Sequence, residues 1–344
     1  MEFSDLHSPF SDSNWLRRCS QLAQYADNRV RDNPYVGAVL VHGERAIGEG
    51  WHRRAGHAHA EVNCLDNVQN IHKNLISDST LYVSLEPCCF QGRTPPCTDL
   101  ILRHGIPRVV FAQRDPTPEV AGRGAALLRA AGVDVTEYPD YLPTQQANRN
   151  RFTLVTRRRP FIFLKYARSA DGFLRPADRS LNYWITNAIS RRLVHRWRTR
   201  TSAVLVGANT WTEDRPRLDA RLFPGPDPLR IVLNPRGVAL SPSPAAPPPI
   251  ELRPKDLHPE TLTGMLRQLI TDHRISHLTV EGGAATLEAF IAAGLWDEAA
   301  VFTGTARFGS GLPAPRLTNA EAVSEERIGS DRLEWFKRQP PSGE

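Results

Sequence analysis

Nowhere in the 344 residues does an apolar run approach the roughly 20 consecutive residues that a membrane helix needs. No membrane partner is therefore expected. The opening stretch, MEFSDLHSPFSD, lacks the basic and apolar regions of a secretory signal, and the expected location is the cytoplasm. Cysteine is scarce, at 5 residues. Three of them, Cys88, Cys89 and Cys97, crowd one short segment, which suits reduced thiols and a metal better than a disulfide framework. Charge of one sign is also lacking. With 43 basic and 37 acidic residues the net charge is +6, and the basic residues are scattered rather than striped. That suits an anionic small substrate or a nucleotide, and no nucleic-acid partner is expected.

Hydrophobic residues at 40% supply ample material for cores, and the length points to two domains. Trp15, Leu16, Cys19, Leu22, Ala23 and Ala26 recur at helical spacing, predicting a helix over 14–28. Strands are expected at Val36–Val41 and Ala46–Trp51 with a turn at His42–Arg45, then a helix over 58–69. Further strands are expected at Thr80–Leu85, Arg108–Gln113 and Val133–Tyr138, with a helix at Ala121–Ala131. Such alternation indicates an α/β layer fold over 1–145. Residues 146–160, ending in Arg157-Arg158-Arg159-Pro160, read as a solvated linker. A second α/β series occupies 161–344. Its strands are expected at Phe161–Ala167, Ala203–Val206, Leu229–Leu233, His277–Glu281 and Glu298–Thr303, the last of the series. Its helices are expected at 187–200, 260–272 and 284–293. The proline-rich SPSPAAPPPI at 241–250 reads as a surface loop.

Residues 57–61 read His-Ala-His-Ala-Glu, and 86–97 read Glu-Pro-Cys-Cys-Phe-Gln-Gly-Arg-Thr-Pro-Pro-Cys. A His-x-Glu followed by Pro-Cys and a further Cys is the zinc-deaminase pattern. One imidazole and two thiolates can hold Zn²⁺ and leave a position for a water whose pKa the metal lowers. A neighbouring carboxylate can then move the proton. The ligands are assigned as His59, Cys88 and Cys97, and the proton carrier as Glu61. Cys19 and Cys64 read as inert core, and Cys89 as a surrogate ligand for Cys88 that is disfavoured, since adjacent residues rarely both reach one metal. Eight residues separate Cys88 from Cys97, wider than the Cys-x-x-Cys of nucleoside and nucleic-acid deaminases.

At this point the sequence resembles the bifunctional riboflavin-biosynthesis deaminase/reductase family. The resemblance is carried by Asn33-Pro34-Tyr35-Val36-Gly37-Ala38-Val39, His59-Ala60-Glu61-Val62, Glu86-Pro87-Cys88 and Gly92-Arg93-Thr94-Pro95-Pro96-Cys97. Arg114-Asp115-Pro116 and Val120-Ala121-Gly122-Arg123-Gly124 extend it. In the second half it continues through Leu164-Lys165-Tyr166-Ala167-Arg168-Ser169-Ala170-Asp171-Gly172, Trp184-Ile185-Thr186, Leu205-Val206-Gly207 and Val280-Glu281-Gly282-Gly283.

The resemblance implies an α/β protein with a cytidine-deaminase-like N-terminal α/β/α domain and a dihydrofolate-reductase-like C-terminal domain. It implies zinc and NADPH as cofactors, a small phosphorylated pyrimidine as substrate, and homo-oligomers formed through the reductase domain. Asn33 and Arg93 match its deaminase substrate contacts. Ala167, Trp184, Thr210, Asp214 and the turn Gly283, Ala284, Ala285, Thr286 and Leu287 match its cofactor contacts. Lys165, Asn182, Arg198, Leu218, Arg221 and Glu281 match the reductase substrate site, where guanidinium forks suit a phosphate monoester. A Rossmann fingerprint is lacking, since Gly122-x-Gly124 is followed by Leu127 where a third Gly or Ala is required. Phe90, Thr117 and Asn182 depart from the family pattern. The alternatives are a nucleoside or tRNA-base deaminase with an accessory domain, a zinc-stabilised scaffold, and a paralogue with one active domain.

Overall fold

A computed structural model describes residues 11–139, 141–178, 184–242 and 247–339, in two compact units, Met1–Arg158 and Arg159–Glu344. In the first, α1 (Asp12–Ala23) precedes the hairpin β1 (Gly37–His42) and β2 (Arg45–Trp51). Then follow α2 (Ala60–Asp66), β3 (Thr80–Val83), α3 (Cys97–Arg103), β4 (Arg108–Phe111), α4 (Arg123–Ala130), β5 (Asp134–Glu137) and α5 (Leu142–Arg157). The sheet runs β2-β1-β3-β4-β5. β1 is antiparallel to both neighbours, and β3, β4 and β5 are parallel.

Because side chains alternate along a strand, β1 feeds two cores. Ala38 and Leu40 pack with Ala60, Cys64, Leu81 and Ile101, whereas Val39 and Val41 pack with Leu16, Cys19 and Leu22 of α1. Both faces are covered, which is why β1 reads as an unbroken apolar run. One close approach positions the site. A Cβ on Gly50 of β2 would lie 2.3 Å from the Cys64 nitrogen and 2.7 Å from the Ala60 oxygen, so only glycine lets α2 sit directly on that strand.

The segment expected as a linker is the helix α5. Its polar sequence has no apolar stripe. It is anchored instead by the buried Asn148, which accepts from the Tyr35 amide at 2.7 Å and donates to the Tyr35 carbonyl at 3.0 Å. Nor is the three-arginine run solvated throughout. Arg157 and Arg158 are exposed, but Arg159 is buried and binds Asp297 through two nitrogens at 2.6 and 2.7 Å.

The second unit contains β6 (Phe161–Arg168), β7 (Phe173–Pro176), α6 (Ala188–Arg198), β8 (Ala203–Gly207), α7 (Ala208–Asp214), β9 (Leu229–Leu233) and β10 (Ile250–Leu252). It continues with α8 (Pro259–His273), β11 (His277–Gly282), α9 (Ala284–Ala292), β12 (Glu298–Thr303), β13 (Gly311–Pro313), β14 (Ala320–Ile328) and β15 (Asp331–Arg338). Its large sheet runs β10-β9-β8-β11-β6-β12-β15-β14, parallel from β10 to β12. β12 is therefore not the last strand. The hairpin β14–β15 follows, turning at Gly329 (φ +62°) and pairing antiparallel with β12 through β15. β14 is exposed at almost every position, so it carries no alternation by which to find it.

The connection after β8 leads to β9 on one side, and the connection after β11 leads through α9 to β12 on the other. The carboxyl ends of β8 and β11 thus form a topological switch point, where open parallel sheets bind their ligands. Among the described residues, no helix is long and apolar enough to cross a membrane.

Candidate active sites

The first site is assembled on α2, the loop before α3, and α3 itself. His59 is the N-cap of α2, Glu61 lies in its first turn, and Cys97 opens α3 behind Pro95-Pro96. Cys88 follows β3 after a short extended stretch in which the Glu86 amide donates to the Gln113 carbonyl at 2.8 Å.

The ligand atoms of His59, Cys88 and Cys97 lie within 4.8 Å of one another. His59 Nδ1 is 3.3 Å from Cys97 Sγ and 3.5 Å from Cys88 Sγ. Tetrahedral zinc, at about 2.3 Å from sulfur and 2.0–2.1 Å from nitrogen, would hold such atoms about 3.5 Å apart. Two thiols and an imidazole are zinc's preferred donors, so the residues fit the ion. Cys89 is outside this cluster, with its Sγ turned to the Glu119 carbonyl.

Electrostatics favour a charged site. Hydrogen bonding, first from Cys97 and then from His59, pulls the Cys88 thiol down to about 5. Cys97, sharing that hydrogen bond, is pushed well up. The hydrogen bond to Cys88 raises His59 despite burial. Glu61 is only 4% exposed, and burial raises its pKa above the ordinary carboxyl value.

Three residues outside the expected set hold the site in shape. Thr94 Oγ1 lies 3.2 Å from His59 Nε2, the ring nitrogen facing away from the sulfurs. Glu86 accepts from the amides of Gly122 (2.9 Å) and Ala125 (3.1 Å), tying the Cys88 segment to the start of α4. His52 joins Asn33 to the loop before His59. Its Nδ1 is 3.0 Å from the Ala58 carbonyl and must carry the proton, so Nε2 accepts from Asn33 Nδ2 at 3.2 Å. Burial lowers the His52 pKa and keeps the ring neutral. Thr94 and Glu86 stand inside recognisable motifs, but nothing in the spacing marks their partners.

Arg93 is exposed and lies over Gly56, where a Cβ would meet its Nη1 at 3.6 Å. Phe90 is exposed. Thr117 bonds to Asp115 and accepts from Arg151 Nη2 at 2.6 Å, so this departure from the family pattern is satisfied locally.

The second site lies at the carboxyl ends of β6 and β11. Arg198, at the end of α6, binds the Glu281 carboxylate through two nitrogens, and Lys165 Nζ is 3.8 Å from the same carboxylate. Burial would raise Glu281, but Arg198 and Lys165 hold it down to about 2. Burial lowers Lys165, opposed by Glu281. Arg221 binds Asp219, whose carbonyl accepts from Arg198 Nη1 at 2.9 Å. Leu218, between these groups, is buried with φ +52°, a strained conformation for a branched side chain. Sequence reading did not find His195, whose Nδ1 accepts from the Leu222 amide at 3.4 Å.

At the switch point, a Cβ on Gly207 would stand 2.5 Å from Thr286 Oγ1, and one on Gly283 would stand 2.9 Å from Thr210 Oγ1. The starts of α7 and α9 therefore pack against each other as closely as glycine allows, with the Thr286 and Thr210 hydroxyls in the space a side chain would take. Gly283 begins the expected cofactor turn, and Ala284, Ala285, Thr286 and Leu287 form the first turn of α9. Ala167 is half-buried on β6, Asp214 ends α7, and Trp184 is exposed with the Arg191 guanidinium 4.7 Å above its ring. Asn182 lies outside the described residues.

Comparison with known proteins matches residues 10–113 to the cytidine and deoxycytidylate deaminase zinc-binding region, and 160–335 to the RibD C-terminal domain. The riboflavin biosynthesis protein RibD of Aquifex aeolicus is 36% identical over 95% of this chain and 98% of its own. That of Bacillus amyloliquefaciens is 32% identical over 89% and 88%. Among solved structures, the diaminohydroxyphosphoribosylaminopyrimidine deaminase/5-amino-6-(5-phosphoribosylamino)uracil reductase of Thermotoga maritima superposes with a TM-score of 0.85 at 32% identity, covering 95% of this chain and 99% of that one. Acinetobacter baumannii RibD gives a TM-score of 0.82 at 27% identity, covering 96% and 99%. The expected pairing of a cytidine-deaminase-like with a dihydrofolate-reductase-like domain is thus the observed fold. Similarity along nearly the full length of both chains establishes that this protein belongs to the RibD family of bifunctional riboflavin-biosynthesis proteins.

Proposed function

We propose that the two units perform successive steps of riboflavin biosynthesis. The unit ending at Arg158 hydrolyses the 2-amino group of 2,5-diamino-6-ribosylamino-4(3H)-pyrimidinone 5′-phosphate, consuming water and releasing ammonia. The unit beginning at Arg159 reduces the ribosyl group of the product to ribityl with NADPH. The observation that carries this reading is the convergence of His59, Cys88 and Cys97 beside the buried Glu61, in a chain whose other half matches the RibD C-terminal domain.

In the first unit His59 Nδ1 and the sulfurs of Cys88 and Cys97 would hold zinc, which supplies Lewis-acid activation of water. Glu61 would carry one proton from the attacking water to the ring nitrogen, and then the second, from the added hydroxyl, to the amino group that leaves as ammonia. Burial raises its proton affinity, which suits a group that must be protonated midway. Asn33, with Nδ2 committed to His52, presents Oδ1 to a donor on the pyrimidine. Arg93 stands ready for the anionic end of the substrate.

In the second unit NADPH supplies the hydride. Thr210, Asp214, Trp184, Ala167 and the turn Gly283–Leu287 would orient it. Lys165, Glu281, Leu218 and Arg221 would form the substrate surface with Asn182, and Arg198 would position Glu281. The same reading implies a cytoplasmic enzyme whose reductase domains pair, with no nucleic-acid or membrane partner.

The test follows ammonia and NADPH absorbance together in zinc-loaded protein given the diaminopyrimidinone phosphate. Ammonia should appear without NADPH, and NADPH oxidation should depend on that release. Silence in both channels would refute the assignment.

A further inference from the structure

The loop that carries Asn33 is held by α5. The Asp32 carbonyl accepts from Arg151 Nη1 at 3.2 Å, and the Asn33 amide donates to the Val30 carbonyl at 3.1 Å. That oxygen and that N–H belong to one planar peptide group, so the two contacts together fix its orientation. Beyond Pro34, Asn148 holds both the amide and the carbonyl of Tyr35. Asn148 and Arg151 stand three residues apart on α5 and so share one face of the helix. Asn33 thus sits between two fixed peptide groups, and the proline that follows it confines it further to extended backbone.

This loop is not relaxed on its own. Arg31 has φ +57° and ψ −118°, a costly conformation for a residue with a side chain, which persists only where surrounding contacts impose it. Arg151 supplies such a contact and reaches further, its Nη2 donating to Thr117 Oγ1 at 2.6 Å. The Thr117 carbonyl accepts from the Val120 amide at 2.9 Å, and the Gly122 amide donates to Glu86, two residues before Cys88, at 2.9 Å. One guanidinium therefore ties the Asn33 loop to a loop anchored on the Cys88 segment. Arg151 makes no ion pair among the described residues, and its Nε is buried without a hydrogen-bond partner. Arg159, by contrast, is buried against the Asp297 carboxylate. A half-buried cation committed to neutral oxygens on two separate loops acts as a spacer between them, not as half of a charge pair.

We infer that Arg151 is a positioning residue of the deamination step: by spanning Asp32 and Thr117 it sets where Asn33 Oδ1 stands relative to Cys88 and the metal cluster. The inference rests on the deaminase reading and on Asn33 meeting the pyrimidine. Arg151 acts through Asn33 rather than on the substrate. His52 and Arg151 hold Asn33 in different ways. The 3.2 Å contact between Asn33 Nδ2 and His52 Nε2 turns the side-chain amide, whereas Arg151 fixes the backbone from which that amide projects.

The test follows ammonia release by zinc-loaded full chains of wild type, Arg151→Met, Asn33→Ala and the double variant. Arg151→Met should lower kcat/KM by roughly 10- to 100-fold, the effect of moving a contact by up to about 1 Å. Most of the loss should fall on KM, because Glu61 and the metal ligands are untouched. The double variant should match Asn33→Ala alone, since a group that acts through Asn33 then has nothing left to position. Losses that multiply, or an unaltered kcat/KM in Arg151→Met, overturn the inference. Thr117→Val cuts the same link at its other end and decides by the same comparison if Arg151→Met does not fold. If wild type releases no ammonia, the deaminase reading fails, and hydrogen exchange decides the link separately. Faster exchange confined to peptides covering 31–35 in Arg151→Met supports it, and identical or uniformly faster exchange overturns it.

Discussion

Arg198 grips Glu281 with Nε on Oε1 at 2.8 Å and Nη2 on Oε2 at 2.7 Å, while its Nη1 donates to the Asp219 carbonyl at 2.9 Å. One side chain thereby joins the end of α6, the end of β11 and the strained loop at Leu218. Both partners are largely buried, so removing the guanidinium strands a carboxylate in the interior. Breaking such a pair costs about 3–5 kcal/mol, and the lower end applies here because Lys165 remains nearby. Arg198→Met should therefore destabilise the second unit by about 3 kcal/mol in urea unfolding and depress NADPH oxidation, with Arg198→Lys partly restoring both. Undiminished stability would show that the pair is not the tie the geometry describes.

Glu61→Gln keeps shape and volume but cannot accept the proton. Ammonia release should fall by at least roughly 10²-fold, the scale of a lost general acid–base. Because the metal ligands are untouched, zinc content should be unchanged. Reduction of chemically supplied deaminated intermediate should also continue. A variant that retains ammonia release would remove Glu61 from the proton path.

Legibility followed locality. Leu229–Leu233 and Glu298–Thr303 were readable to the residue because buried parallel strands are short unbroken runs of β-formers. The metal cluster was readable because its residue types sit in tight local motifs. α5 was not, since a helix pinned by one buried asparagine has no apolar stripe. The β14–β15 hairpin was hidden by the exposure of β14, and Arg159 by its two exposed neighbours. His52, Glu86 and Thr94 act through partners brought near only by folding, so composition and spacing gave no sign of their roles.

Thr94 offers a direct test of metal-site support. Its Oγ1 is 3.2 Å from His59 Nε2, so an Nε2–H donated to it orients the ring with Nδ1 toward the sulfurs. Outer partners of this kind are worth roughly 10- to 100-fold in metal affinity. Thr94→Ala should weaken zinc by that factor in competition with a chromogenic chelator, and Thr94→Ser should restore it. Cys97→Ser, which removes a ligand, should bind zinc far more weakly than either. Equal affinity for Thr94→Ala and wild type would leave the hydroxyl with no part in holding the ring.

The second unit should lose stability on acidification in two stages. His195 is held down to about 4 by burial and by Arg198 and Arg221. Its ordinary value is about 6.5, so between pH 6.5 and 4 the unfolded chain takes up a proton that the folded chain refuses. Stability therefore falls across that window, and the contribution stops changing below pH 4. Glu281 behaves as a depressed carboxylate. Its stabilisation is complete above about pH 4.5 and is lost as pH falls toward 2. Urea unfolding of wild type and His195→Gln from pH 7.5 downward separates the two. The variant should lose the first stage and keep the second, because glutamine cannot titrate while Glu281 still does. Parallel profiles above pH 4.5 would show that His195 is not held neutral by its arginine neighbours, and the electropositive reading of that corner would fall with it.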